Sequence, residues 1–170
     1  MSPSAARYLA ASCTGCLVLA LASASPPTER LVFNTTASAP LGFYWRTGSA
    51  ATVGDLVLVR PPPALAAWMA RRGYLPLNVG LIKHLAAVEG QIICGHGDRL
   101  LIDGRRAADL RDRDRQGRRL SRLSGCQRLR EGEVFLLNAQ APDSLDGRYF
   151  GPLSRTTIVG RLHPLWTWER

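Results

Sequence analysis

Lysine is almost absent from this 170-residue chain: Lys83 is the single lysine among 22 basic residues, and every other cation is an arginine. A preference that broad belongs to the composition as a whole, so the net charge of +9 says little by itself about partners. Aromatic residues are missing between Tyr74 and Phe135, although that stretch contains 11 arginines from Arg99 to Arg130. A nucleic-acid surface adds stacking platforms to its basic groups. With none here, and with Asp103, Asp109, Asp112 and Asp114 interleaved, no nucleic-acid partner is expected; the segment reads as a solvated loop or hairpin face. Cys13 and Cys16 form a CxxC, but no second pair accompanies it and it lies in an apolar segment, which argues against zinc or dithiol redox chemistry. No internal repeat is found, and neither a metal nor a cofactor is expected.

What is present suits one domain of ordinary size with apolar content enough for a core. It is preceded by a separate N-terminal segment, so the expected division is 1–27 and 28–170. Tyr8 to Ser25 is an uncharged run of 18 residues rich in Ala and Leu, stopped by Pro26 and Pro27. As a helix it would span about 27 Å, at the lower limit for a bilayer core of roughly 30 Å. It reads as a membrane anchor, or as a signal segment processed near Ala22-Ser23-Ala24. Either reading exports the remainder of the chain. Cys94 and Cys126 are the only thiols of that remainder; an oxidising compartment would let them pair, the alternative being two separate buried thiols.

From Thr52 onward the pattern is that of strands. Leu56 to Arg60 is β-rich and is stopped by Pro61-Pro62-Pro63. Ala64 to Arg72 has helical propensity and an apolar face, closed by Gly73. Val79 to Val88, Gln91 to Cys94, Arg99 to Ile102, Arg105 to Ala108, Glu133 to Asn138 and Thr156 to Leu162 read as strands, with Asp103-Gly104 as a hairpin turn. Asp109 to Leu123 is a polar excursion. The expected fold is mainly β: an antiparallel domain with one short helix and long surface loops, behind an N-terminal membrane helix.

The lone lysine sits in one of the apolar strands. Arginine stays protonated at any useful pH, whereas a buried lysine can lose its proton and act as a base. Lowering its pKa to about 7–8 costs about 4 kcal/mol, which desolvation by neighbours such as Ile82 and Leu85 can supply. His84 should point to the opposite face and be solvated. Upstream, Asn34 to Trp45 mixes small hydroxyl residues with Pro40 and Gly42, a loop able to hold the Ser38 hydroxyl forward. A serine and a desolvated lysine, with no plausible histidine partner, suggest a Ser–Lys dyad.

Three stretches make that suggestion specific. Thr36-x-Ser38-x-Pro40-x-Gly42-x-Tyr44, Ile82-Lys83-His84-Leu85-Ala86-Ala87 and Ser144-Leu145-Asp146-Gly147-Arg148-Tyr149-Phe150-Gly151-Pro152 resemble, in order, the signature boxes of signal peptidases. The short intervals, the Tyr-Phe-Gly-Pro and the Leu-x-x-Leu-x-Gly before Cys126 are most similar to the TraF-type conjugative-transfer peptidases, which mature pilin precursors. The resemblance covers Asn34 to about Leu165.

It implies a nucleophile at Ser38, a general base at Lys83 and an oxyanion donor at Thr36. It implies further that Ser144 orients the Lys83 amine and that Asp146 and Arg148 frame the site as a charged pair. Two positions depart from the pattern. Gly147 replaces the serine usual between that Asp and Arg, which could loosen the third box, and Glu89 stands where housekeeping enzymes carry a Pro. The implied protein is a membrane-associated serine endopeptidase of the inner membrane with its catalytic domain on the periplasmic side. It would process an exported, pilin-like precursor after small residues. A housekeeping signal peptidase and a non-catalytic β domain of a secretion or conjugation apparatus are the alternatives.

Overall fold

The computed structural model describes residues 30–168 and, nearer the N-terminus, residues 7–8, 12–17 and 20. Most of the expected membrane helix, its processing site and the boundary at residue 27 therefore lie outside the described residues. Cys13 and Cys16 fall in a helical stretch and are exposed, unbonded thiols. Among the described residues, no helix is long and apolar enough to cross a membrane.

Eleven strands and two short helices follow: β1 (Leu31–Asn34), β2 (Leu41–Thr47), β3 (Leu56–Val59), α1 (Pro63–Arg71), β4 (Leu81–Val88), β5 (Ile92–His96), β6 (Arg99–Ile102), β7 (Arg105–Asp109), β8 (Gly125–Arg128), β9 (Glu133–Leu137), α2 (Gly147–Phe150), β10 (Leu153–Ser154) and β11 (Ile158–Trp168). They build a seven-stranded sheet in the order β1-β2-β11-β3-β4-β9-β10 and a four-stranded sheet in the order β7-β6-β5-β8. Strand pairing is antiparallel throughout both.

Local chemistry accounts for much of this. Pro63 opens α1 at a position where its missing N–H costs nothing, and Gly73, at φ 67°, closes it. Asp103 and Gly104 both take positive φ (47° and 76°), as a two-residue turn matching the twist of β6 and β7 requires. Gly42 is demanded by packing: a Cβ there would lie 2.1 Å from the Trp166 carbonyl oxygen of β11. That close approach lets β11 run beside β2, shift register between Pro164 and Trp166, and pair with β3 at its other end.

Three apolar clusters fill the interior. The largest joins Val57, Val59, Met69, Leu85, Val134 and Leu136 between α1 and the sheet. A second, around Ile93, Leu100, Leu129 and Phe135, attaches the smaller sheet to the larger. The third is small: Ala39, Tyr44, Ile82 and Leu162. Cys94 and Cys126, paired across β5 and β8, form a disulfide.

The excursion from Asp109 to Leu123 is largely the solvated face its composition suggests, with most of its residues exposed, but it is also anchored at several points. Tyr74 donates to Asp114, Arg118 donates to the Arg72 carbonyl (2.6 Å), and the Leu123 amide donates to the Arg148 carbonyl (2.9 Å). Arg118 also lies over the Tyr74 ring, 4.6 Å from its centroid. A charged stretch can dock in this way because alternating Arg and Asp neutralise one another while carbonyls take the remaining donors.

Candidate active site

The Ser38 loop is the connection between β1 and β2, and one buried side chain shapes it. Asn34 donates from Nδ2 to the carbonyls of Thr36 (2.9 Å), Ala39 (3.1 Å) and Pro40 (3.0 Å). Its Oδ1 accepts from the Thr36 amide (3.0 Å) and the Thr36 hydroxyl (2.8 Å). Tyr44 adds a bond from its hydroxyl to the Pro40 carbonyl (2.6 Å). Ser38 is thereby carried half-exposed on a turn whose carbonyls are satisfied from within, and Ala39 drops into the small apolar cluster.

Lys83 lies on β4, a central strand between β3 and β9. It shares a face with Leu81 and Leu85 and stands across from Val57, so the desolvating neighbours are these; Ile82 faces the other way, into the cluster that holds Ala39. Its side chain is 2 % exposed, and burial pulls its pKa down from 10.5 to about 8. Asp146 works against that shift and Arg148 with it. His84 is exposed on the opposite face, its Nδ1 3.1 Å from the Gly54 carbonyl.

The third stretch wraps behind the amine. Lys83 Nζ donates to Ser144 Oγ at 2.7 Å. Asp146 and Arg148 form a two-pronged ion pair, Nε to Oδ1 and Nη2 to Oδ2 both at 2.8 Å, at 0 % and 1 % exposure. Arg148 spends its remaining donors on the carbonyls of Asp109, Ala141 and Ser144 (3.2, 2.9 and 3.2 Å). The pair thus grips the backbone of the residue that receives the lysine. Asp146 also caps α2 by accepting from the Arg148 amide. No sequence signal marks α2, because a four-residue helix held by one aspartate has no periodicity by which to find it.

Gly147 does not loosen this stretch. A Cβ there would lie 2.8 Å from both the Leu136 carbonyl oxygen and the Phe135 ring, so the missing side chain lets α2 close against β9. Glu89, the other departure, accepts from the Gly132 amide at 3.0 Å.

Thr36, Ser38, Lys83 and Ser144 line one groove of about 750 Å³, between β1 and the Asn78–Lys83 segment. Among the described residues no hydrogen bond joins Ser38 to Lys83; Ser38 Oγ pairs with Thr36 Oγ1 at 3.3 Å. Because the Thr36 proton is given to Asn34, Ser38 is the donor in that contact. The Thr36 hydroxyl must turn away from Asn34 before it can donate to anything in the groove. Among the described residues, no group of His, Cys, Asp and Glu is arranged to hold a metal ion.

Two side chains with a large part in this geometry carry no role in the sequence reading. Asn34 and Asn138 are both buried, at 4 % and 3 % exposure. Buried asparagine amides must be satisfied, and each at the end of a strand beside a candidate box is a signal that spacing alone does not carry.

A half-exposed serine hydroxyl, a buried amine and a two-pronged ion pair thus arrive from three separated stretches. The family model described as signal peptidase, peptidase S26, matches residues 18–167. The chain belongs to this signal peptidase family. Among curated relatives, the plasmid transfer protein TraF of Escherichia coli is 32% identical over 145 residues, covering 79% of this chain and 82% of its own. The conjugal transfer protein TraF of Agrobacterium fabrum is 34% identical over 150 residues, covering 80% and 82%. A probable conjugal transfer protein TraF of Sinorhizobium fredii is 35% identical over 147 residues, covering 79% and 76%. A crystal structure of a signal peptidase I from Enterococcus faecalis V583 aligns at a TM-score of 0.43 and 18% identity, over 69% of this chain and 100% of that one.

Proposed function

We propose that this protein is a serine endopeptidase of conjugation, with Ser38 as nucleophile and Lys83 as base, that processes an exported, pilin-like precursor. The observation that carries the proposal is the state of Lys83: the one lysine of the chain is buried, pulled toward neutrality, and bonded to Ser144 on the groove that also holds Ser38. A structural lysine would gain nothing from that position, whereas a base working near neutral pH requires it.

In the reaction the neutral Lys83 amine accepts the Ser38 proton as Oγ attacks the carbonyl carbon of the scissile bond. The Thr36 hydroxyl, released from Asn34, donates to the developing oxyanion. Collapse breaks the C–N bond, and the Lys83 ammonium returns its proton to the departing amine, leaving an ester on Ser38. Water, giving its proton to Lys83, resolves the ester to an acid; an amine of the product itself would instead close a cyclic chain. Kinship with the TraF proteins supports the setting in conjugation, and the apolar run from Tyr8 to Ser25 supports an inner-membrane anchor with the groove on the periplasmic side.

Mass spectrometry of a pilin-like precursor co-expressed with the full chain tests this reading. The wild type should shorten the precursor after a small residue, while Ser38→Ala and Lys83→Arg should leave it whole. Processing by Lys83→Arg at an appreciable rate would defeat the dyad, because arginine cannot become neutral, and a binding role would then lead.

A further inference from the structure

Ser38 lies in the loop between β1 and β2 and Lys83 on β4, and the two share no hydrogen bond, so something else must set the distance between them. One side chain reaches both. Asn138, just beyond β9, donates from Nδ2 to the Ser38 carbonyl (2.5 Å) and to the Ile82 carbonyl (3.0 Å). Its Oδ1 accepts from the His84 amide at 3.1 Å. The two residues flanking Lys83 are therefore held by the amide that also holds Ser38. The Asn138 main chain completes the connection, its N–H donating to Asp146 Oδ2 at 3.1 Å.

Every polar atom of this amide is used, and the use is unsymmetrical. Two N–H groups meet two carbonyls, and one oxygen meets one N–H. Aspartate cannot reproduce that pattern, because its second oxygen would oppose two carbonyl oxygens. Glutamine has the groups but is one methylene too long, and a leucine of similar volume has no donors.

We infer that Asn138 is the positioning residue that sets the separation and alignment of the Ser38 hydroxyl and the Lys83 amine. The inference rests on the dyad reading above and deepens it. Asn138 does not touch the amine: the Lys83 nitrogen is bonded to Ser144, and the charged groups acting on it are Asp146 and Arg148. Removing Asn138 should therefore misplace the nucleophile without changing the proton affinity of the base. Misplacement by about 1 Å costs on the order of 100-fold in rate.

The test compares Asn138→Ala with the wild type in the full chain. The probe is an internally quenched peptide with alanine at the first and third positions before the cleaved bond. As Lys83 is the only lysine, biosynthetic incorporation of ε-¹³C-labelled lysine gives one side-chain signal, whose shift against pH reports its pKa directly. A positioning role predicts that kcat falls about 10- to 100-fold with KM within about twofold, and that the Lys83 signal still titrates near its wild-type pH. Unchanged kcat would overturn the inference. So would a lysine pKa that climbs toward the free value along with the loss of rate, since that marks general loosening and entry of water. Asn138→Ser, which adds no charge beside the amine and still loses the amide donors, carries the same comparison should the alanine variant not fold. Failure of the dyad itself gives a different result, activity retained in Ser38→Ala or Lys83→Arg.

Discussion

Lys83 Nζ and Ser144 Oγ lie 2.7 Å apart across 61 positions of sequence, and the carbonyl of that same serine is held by Arg148 at 3.2 Å. The bond gives the amine one fixed polar partner inside an otherwise apolar setting. It directs the nitrogen toward the groove while leaving it short of the full solvation that would keep it charged.

Turnover should therefore depend on pH through Lys83. The neutral amine is the working form, so kcat should rise about tenfold per pH unit below the apparent pKa and level off above about 8. A profile flat from pH 6 to 9 would show that no group of this kind limits the reaction.

The same burial costs stability. Below pH 8 the amine is protonated in both states, and the folded state bears the whole of the shift, about 3 kcal/mol at 1.36 kcal/mol per pH unit. Above pH 8 the unfolded chain still binds a proton that the folded one has released, so stability rises with pH until both are neutral near 10.5. Lys83→Met removes the term. Its denaturant-unfolding free energy should exceed that of the wild type at pH 7, and the gap should shrink above about pH 8 and close only above 10.5; a gap independent of pH would contradict this account.

Thr36→Val keeps the shape of the loop, whose Thr36 amide remains bonded to Asn34, and removes the hydroxyl. Loss of one oxyanion donor costs about 10²–10³ in turnover, with little change expected in Tm. Steady-state rates near wild type would take Thr36 out of the reaction.

Asp146→Ala strands the Arg148 guanidinium in the interior, where the ion pair is at most 1 % exposed. Breaking one side of such a pair costs about 3–5 kcal/mol. Replacing both partners, in Asp146→Ala with Arg148→Met, should cost less than the sum of the two single changes. Additive losses in urea unfolding would mean that the two side chains act independently.

Much of the architecture is legible along the chain. Pro61-Pro62-Pro63 ends a strand and starts α1, Asp103-Gly104 turns a hairpin, and alternation sends His84 outward when Lys83 points in, because these depend on neighbours a few residues apart. The boxes around Ser38, Lys83 and Ser144 were readable as a resemblance in order and spacing. Their meeting was not. It depends on β4 lying between β3 and β9, on Ala39 and Ile82 sharing one apolar cluster, and on Asn138 reaching β4 and the Ser38 loop at once. Composition marked the arginine-rich excursion as solvated, which most of it is, but not its anchoring, which rests on Tyr74, Arg72 and Arg148 far away in sequence. A residue's period and turn chemistry are local properties that sequence determines by itself. Whether an amine is dry, and which buried amide it must share space with, is decided only when distant strands pack and water leaves.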